Sequence, residues 1–458
     1  MSSDVFQLNE LLKPVSTGET RTEKWRRMQL SRLKSITEEH EEEILQALSA
    51  DLGKPPTEAF FEVIAIRQEL ALTSKKLAKW MRPKAVNVPI FLQPGKARVQ
   101  NEPLGCVLII GPWNYPFMLT LQPLISALAA GNTAVLKPSE YAPATSNLIA
   151  KVIERHFPKD IVRVLEGDSD FSERLVANKF DHIFFTGGSK VGAKVMESAA
   201  KNLTPVTLEL GGKNPAIILK DADIEITAKR LIWGKSINCG QTCLAPNHLL
   251  VDESIKESLI RYMGKAIEDF YGEYPLKSNS LGKMNARQFV KLKSLLQEAN
   301  LNNKVILGGE CDEQNQKISP ALLEINSMSE PLMAEELFGP ILPIKSISNL
   351  EDALLSIRNQ PKPLAIYMFG GTEAQKQFLI TTTNSGGVCF NDVVIQAAIP
   401  EMPFGGVGQS GMGSYHGYSG FENFSHKKAI LERPFWLDIN FRYPPYKIDI
   451  SFIRKILN

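Results

Sequence analysis

The chain has 458 residues, a formal net charge of +2, and 43% hydrophobic and 22% charged residues. That length exceeds one ordinary domain, so two or three are expected, and the near-neutral charge gives no electrostatic ground for binding nucleic acid. No apolar run approaches the roughly 20 residues needed to span a bilayer, and the N-terminus, MSSDVFQLNELLK, lacks the basic start and apolar core of a signal peptide.

Five scattered cysteines (106, 239, 243, 311, 389) do not form a disulfide framework, which indicates a reducing compartment such as the cytoplasm. Six histidines never fall within four residues of one another. Neither they nor the CxxxC of Cys239 and Cys243 have the local spacing of a metal site, and none is expected.

In chain order, residues 20–80 read as two helices. Trp25, Met28, Leu33, Ile36, Ile44 and Leu48 recur at helical spacing, and Pro55-Pro56 separates them from Phe60, Val63, Ile64 and Leu70. The EEHEEE run at 38–43 is expected on a solvated face. Residues 85–102 read as a hairpin turning at Pro94-Gly95. No core partner lies nearby, which predicts pairing elsewhere in the chain or across a subunit contact. From Leu104, short apolar strands (107–110, 133–136, 161–165, 182–185, 206–210) alternate with helices (119–129, 146–156, 190–200). This is the βαβ rhythm of a doubly wound parallel sheet. A second series, with strands at 248–251, 305–307, 341–346, 364–369 and 387–390, predicts a second α/β domain beginning near Leu210-Gly211-Gly212. The glycine-rich stretch 403–417, PFGGVGQSGMGSYHG, reads as loop rather than core.

Residues able to carry chemistry collect at the strand ends. Asn114, in GPWNYP directly after the strand at 107–110, sits where parallel sheets present ligands. Its amide N–H can meet an oxyanion, the plain alternative being an Asn that closes a turn. Lys137 and Glu140 follow the next strand, a pair suited to a ribose diol but also ordinary at a helix start. In TGGSKVG (186–192), glycines between strand and helix let backbone N–H groups approach a pyrophosphate. The segment is not GxGxxG, and a plain βα turn competes. Glu209 ends an apolar strand, where burial raises a carboxylate towards the working range of a general base. Cys243, in WGKSINCGQTCLAP (233–246), comes just past a helical pattern that stops at Gly240, where a thiol can face a cleft. A free thiol has a pKa of about 8.5, so thiolate formation needs help, and a buried structural cysteine is the bland alternative. EELFGP (335–340) places Glu336 and Phe338 before a strand, where a surface acid is the ordinary reading.

In this order and spacing, TLELGGKNP, GQTC, EELFGP and PFGGVGQSG resemble the NAD(P)-dependent aldehyde dehydrogenase superfamily, from about the first helix to about residue 430. GPWNYP, LTPVTLELGGK and GMGSYHG are similar to its class-three, fatty-aldehyde-type branch. The resemblance implies an α/β aldehyde dehydrogenase-like fold: a Rossmann-type cofactor domain (1–84 and 103–210), a second α/β catalytic domain (211–390), a small β oligomerisation element (85–102 and 391–430) and a C-terminal tail (431–458). It implies that Cys243, and not Cys239, is the nucleophile, Glu209 the general base, and Asn114 with the Cys243 backbone N–H the oxyanion hole. Lys137 and Glu140 would hold the adenosine ribose, and Gly187, Ser189 and Gly192 the pyrophosphate. Glu336 would hold the nicotinamide ribose and Phe338 the ring, with Trp113 and Leu210 also at the cofactor. Tyr115, Thr242 and His416 are expected at the substrate entrance.

The implied reaction adds the thiolate to an aldehyde, passes hydride to NAD and hydrolyses the thioester to an acid. NADP is the alternative cofactor: Glu140 should repel a 2′-phosphate, although the branch includes enzymes that accept NADP. Apolar aldehydes, medium- to long-chain or related, are the expected substrates, and a homodimer the expected assembly. Two other readings are an acylating enzyme that hands the acyl group to coenzyme A and a non-catalytic NAD-binding scaffold. Glu209 argues against the first, since a thiol acceptor does not require that base. The tail carries Phe435, Trp436, Phe441, Tyr443 and Tyr446 among Arg442, Lys447, Arg454 and Lys455, with Ile453, Ile456 and Leu457 at helical spacing. It reads either as a peripheral membrane contact or as a segment packed on protein.

Overall fold

Three α-helices, not two, occupy residues 20–80, and a fourth precedes them, in the computed structural model, which describes residues 8–438, 442–446, 449–451 and 454. They are α1 (Leu8–Ser16), α2 (Glu23–Glu39), α3 (Glu41–Leu52) and α4 (Pro56–Met81). The acidic run expected on one solvated face straddles the break between α2 and α3. His40 leaves helical geometry at φ −118° and ψ 18°, and Glu41, Glu42 and Glu43 fill the first turn of α3. Carboxylates are stabilised there by the positive end of the helix dipole, so the same run that looked like a helix face starts a new helix. Pro56 opens α4, where its missing N–H has no intrahelical partner to lose.

Strands β1 (Lys84–Val86) and β2 (Lys96–Pro103) pair antiparallel, with Lys84 opposite Val99 and Val86 opposite Ala97. The hairpin does not turn tightly at Pro94-Gly95, because β1 stops at Val86 and a 3-10 turn, Ile90–Leu92, intervenes. The ribbon's further partner is distant in sequence. It is the last strand, β18 (Ser425–Glu432), which pairs along the whole of β2.

The first large sheet contains β3 (Cys106–Ile110), β4 (Thr133–Lys137), β5 (Val162–Val164), β6 (His182–Gly187) and β7 (Val206–Leu210), all parallel, in the order β7-β6-β3-β4-β5. Helices α5 (Met118–Ala130), α6 (Pro143–His156), α7 (Ser169–Val176) and α8 (Ser189–Ala200) connect them. From β3 the chain winds outward through β4 and β5 and then returns to β6 on the other side. That reversal opens a crevice at the C-terminal ends of β3 and β6.

The second sheet comprises β8 (Pro215–Ile218), β9 (His248–Asp252) and β10 (Val305–Leu307), then, past a small ribbon of β11 (Cys311–Asp312) and β12 (Lys317–Ile318), β13 (Ala321–Glu324), β14 (Ile341–Ile347), β15 (Ala365–Phe369) and β16 (Gly387–Phe390). Its order is β10-β13-β14-β9-β8-β15-β16, parallel except at β10. Helix α9 (Ile224–Ser236) follows β8 and packs its Ala228, Leu231 and Ile232 into the core of this sheet.

The glycine-rich stretch expected as loop supplies a strand. Residues Gly411–Met412 form β17, antiparallel to β7 with Gly411 opposite Glu209. Gly411 has φ 147°, and a Cβ there would lie 2.2 Å from the Leu208 carbonyl oxygen, so only glycine permits this approach. Among the described residues, no helix is long and apolar enough to cross a membrane.

Candidate active site

A cavity of about 900 Å³ lies outside the C-terminal ends of β3, β4, β6 and β7, facing the segments that lead into β8, β9, β14 and β15. Its lining brings together Trp113, Asn114, Lys137, Glu140, Gly187, Ser189, Glu209, Leu210, Cys243, Glu336 and Phe338. The two sheets therefore contribute opposite walls.

The cysteine loop is held by amide side chains. After α9 the chain turns through Ile237–Gly240, with Asn238 and Cys239 left-handed at φ 52° and 53°. Gly240 follows at φ 73°, where a Cβ would come within 2.3 Å of the Gly339 backbone. Asn238 Nδ2 donates to the carbonyls of Asn114 (2.8 Å) and Gln241 (3.1 Å), and Asn114 Nδ2 donates to the Gln241 carbonyl (2.9 Å). The Asn114 amide carries a second N–H, on a side chain that lines the cavity. From the second sheet, Asn214 Nδ2 donates to the carbonyls of Cys243 (2.6 Å) and Ala245 (3.1 Å). Cys239 turns away into a buried apolar cluster, whereas Cys243 reaches the cavity.

Burial sets the electrostatics. The Cys243 thiol is pushed up to about 12, first by desolvation and then by the charges of Glu336 and Glu209, with the backbone N–H groups of Cys243 and Leu244 opposing. Among the described residues, neither oxygen of Glu209 has a hydrogen-bond partner, and desolvation holds its carboxyl well above the usual range. Glu336 is pushed up to about 8 by burial, opposed by the Gly212 N–H and by Lys235 and Lys291. It fits because residue 211 is glycine: a Cβ there would lie 2.0 Å from Glu336 Oε2.

The opposite wall suits an elongated dinucleotide. Lys137 is buried, and its Nζ donates to Glu140 Oε2 and to the Pro138 carbonyl, each at 2.9 Å. Helix α8 begins at Ser189 without a side-chain cap, and a Cβ on Gly188 would meet nothing within 4 Å. Open backbone N–H groups at a helix start are ready for phosphate. At the other end, the Trp113 and Phe338 rings meet edge to face, with centroids 5.5 Å apart. Phe338 holds φ 49°, uncommon for a bulky residue, between Glu336 and the Gly339 turn.

The family described as "Aldehyde dehydrogenase family" matches residues 17–430. The chain belongs to the aldehyde dehydrogenase family. It is 43% identical to aldehyde dehydrogenase family 3 member H1 of Arabidopsis thaliana, over 96% of this chain and 91% of that protein. It is 41% identical to the dimeric NADP-preferring aldehyde dehydrogenase of Canis lupus familiaris, over 94% of this chain and 95% of that protein. Among solved structures, the substrate-bound state of Staphylococcus aureus AldH superposes with a TM-score of 0.95 at 38% identity, over 98% of both chains. This aldehyde dehydrogenase is accordingly an NAD(P)-dependent oxidoreductase that converts aldehydes to carboxylic acids, with family 3 members among its relatives.

Four residues expected at the site of this aldehyde dehydrogenase do not line its cavity. Gly192 lies a turn inside α8, where a Cβ would come within 2.7 Å of Leu210 Cδ2, so its smallness serves helix–strand packing. Tyr115 and Thr242 are buried and bonded to each other, hydroxyl to hydroxyl, at 2.8 Å. His416, at φ 74°, is buried against Phe404 and Tyr415, and those two rings face the cavity in its place.

Sequence reasoning also missed three carboxylates on α4. Glu58 accepts from the Asn238 N–H (2.8 Å), Glu62 from the N–H groups of Phe117 (3.1 Å) and Met118 (2.9 Å), and Glu69 from the Gly417 N–H (2.8 Å). The other oxygen of Glu62 pairs with buried Lys54, whose ammonium lies 3.9 Å from the centroid of the Tyr115 ring. One helix face thus ties down the cysteine turn, the start of α5 beyond Asn114, and the glycine-rich segment. The signal was present: Glu62 and Glu69 recur with Val63, Ile66 and Leu70 on the apolar side of the helix.

Proposed function

We propose that this enzyme oxidises apolar aldehydes, medium- to long-chain or related, through a thioester on Cys243. The observation that carries the reading is the shared cavity of Cys243 and Glu209, with Glu209 buried and unpartnered among the described residues. Cys243, once deprotonated, attacks the carbonyl carbon. Asn114 and the Cys243 backbone N–H meet the oxygen as it gains charge, and one such donor is worth about 2.7–4 kcal/mol. Bound NAD(P) supplies the hydride acceptor. Glu209 then takes a proton from the water that cleaves the thioester, which frees the acid and the thiol.

Lys137 and Glu140 hold the adenosine ribose, Gly187 and Ser189 border the pyrophosphate, and Glu336 holds the nicotinamide ribose beside Phe338, Trp113 and Leu210. Glu140 favours NAD, since its carboxylate would repel a 2′-phosphate. The canine relative is named NADP-preferring, so kcat/KM for both cofactors is the test, and a strong NADP preference would defeat this assignment. Leu119, Phe404 and Tyr415 give the lining an apolar side.

A homodimer is supported by that relative's name and by exposed Val86, Ile90, Phe91 and Leu431 on and beside the β1-β2-β18 ribbon. The free state of all five cysteines supports a reducing, cytoplasmic setting. In the tail, Phe435, Trp436, Tyr446 and Ile450 are exposed, which supports peripheral contact with a membrane surface. Phe441, Lys447, Ile453, Lys455, Ile456 and Leu457 lie outside the described residues. Flotation with liposomes, intact against truncated after residue 432, tests the contact, and equal flotation would end it.

The deciding experiment follows absorbance of reduced cofactor with NAD and decanal, wild type beside Cys243→Ala. Cysteine-dependent turnover without coenzyme A is expected. NAD binding without turnover across a wide aldehyde panel would overturn the reading.

A further inference from the structure

Away from the catalytic cavity, the break between α2 and α3 meets the C-terminal turn of α6. His40 Nε2 and His156 Nε2 face each other there at 3.3 Å, with the ring planes at 88°. A carboxylate oxygen of Glu39 stands 3.9 Å from His156 Nε2, and one ligand atom from each of the three residues lies within 4.8 Å of the other two. His40 is buried, and its Nδ1 lies 2.7 Å from Glu43 Oε1. An ionised carboxylate only accepts hydrogen bonds, so Nδ1 carries the proton and Nε2 turns its lone pair towards His156.

Two arrangements compete for such a nitrogen pair. Hydrogen bonds from N–H to oxygen run from about 2.7 to 3.2 Å. Two imidazoles on one tetrahedral zinc ion, each with Zn–N of about 2.0–2.1 Å, stand about 3.3–3.4 Å apart. The observed 3.3 Å lies at the long end of the first and within the second, and Glu39 adds a third donor atom that only the second uses. A histidine whose far N–H is held by a carboxylate is also the usual partner arrangement behind a metal ligand. Glu43 fills that position, while its other oxygen accepts from Lys151 at 2.7 Å. Arg32 and Arg155 add positive charge nearby, which the carboxylates of Glu39 and Glu43 offset.

We propose that His40, His156 and Glu39 form a zinc site, with water as the fourth ligand, that staples the α2–α3 corner to the end of α6. Glu39 is half exposed and leaves that fourth position towards solvent. The site also has a place in the fold. At its far end α3 is already tied to α6, where Asp51 accepts from the Ala144 N–H (3.0 Å), the Thr145 N–H (2.8 Å) and the Thr145 hydroxyl (2.7 Å). Zinc would fasten the second end of the pair, the end of α6 away from the loop that carries Lys137 and Glu140. The two histidines are 116 positions apart, so local spacing could not reveal them.

The test is titration of zinc into chelator-treated full-length protein, with Cys243→Ala as the common background so that the reactive thiol takes no metal. About one equivalent is expected per chain, with affinity about tenfold or more weaker in His156→Gln and in Glu39→Gln. Cobalt in place of zinc should give the visible absorption of a tetrahedral site, lost in His156→Gln, and zinc should raise Tm in the background protein and not in that variant. His156 and Glu39 are the partly exposed members, so these variants keep the test independent of any folding defect from replacing buried His40. Equal zinc affinity with and without His156, or no zinc-dependent rise in Tm, would overturn the site and leave a simple histidine pair.

Discussion

Buried carboxylates stand on two sides of the Cys243 loop and are used in opposite ways. On α4, Glu58, Glu62 and Glu69 each accept backbone N–H groups from a loop that borders the site. At the end of β7, Glu209 accepts none among the described residues. N–H donors offset part of the desolvation of a buried carboxylate and make it a fixed strut, although burial still raises Glu58 to about 6 and Glu69 to about 7. One stripped of both water and donors is destabilised as an anion, and so gains affinity for protons. The difference between holding and reacting lies in the neighbours, since the residue type is the same.

The contrast is broken most severely at Glu209. Glu209→Gln keeps the shape and removes the base, so steady-state turnover should fall by roughly 10²–10⁴. Rapid mixing should still yield about one equivalent of reduced cofactor per site before the stall. Turnover at the wild-type rate would remove Glu209 from the hydrolysis. Next, Glu62→Ala leaves Lys54 buried without its partner and orphans two N–H groups, and should cost about 3–5 kcal/mol of stability by denaturant unfolding. A change below about 1 kcal/mol would mean that the strut bears no weight.

A smaller effect separates burial from bonding at Glu69, whose carboxyl is raised to about 7 by desolvation despite the Gly417 N–H. A raised folded pKa stabilises the fold fully below the ordinary value of 4.5, a contribution lost as pH rises through 7. Glu69→Gln keeps an acceptor and has no proton to lose, so relative to wild type its Tm should rise between pH 5 and pH 8, by about 2 kcal/mol in stability. A pH-independent difference would contradict the burial cause. Smallest of all, Glu336→Gln removes the largest charge opposing the thiolate. Alkylation of Cys243 by iodoacetamide should then move to lower pH by about one unit, and an unmoved profile would remove the Glu336 charge as a cause and leave desolvation to act without it.

How much of this was legible depended on the distance over which each residue's meaning is set. Asn114, Glu209 and Cys243 stand at strand or helix ends beside glycines and prolines, and such punctuation is local, so a single pass could find them. Strands β8 and β13 were overlooked because PAII opens on Pro215 behind a glycine pair and ALLE directly follows Pro320, local punctuation that reads as turn. The carboxylates of α4 read as ordinary helix charges, since the backbone N–H groups they accept from lie 55 to 348 positions away. His416 does not line the cavity: at φ 74° it packs against Phe404 and Tyr415, which do. In each case the deciding fact was a contact between distant parts of the chain.

The pairing of β17 with β7 has a consequence for synthesis. Every group assigned to the chemistry or to the cofactor precedes residue 339, yet the strand that carries Glu209 receives its outer neighbour from Gly411–Met412. On the ribosome, which adds about 5–20 residues per second, a nascent chain therefore carries all its reactive groups for several seconds while β7 is still a bare edge. The first sheet is complete only once residues 411 and 412 have emerged, and a chain halted before residue 411 would keep its thiol and its base and lack the strand that pairs with β7 beside Glu209.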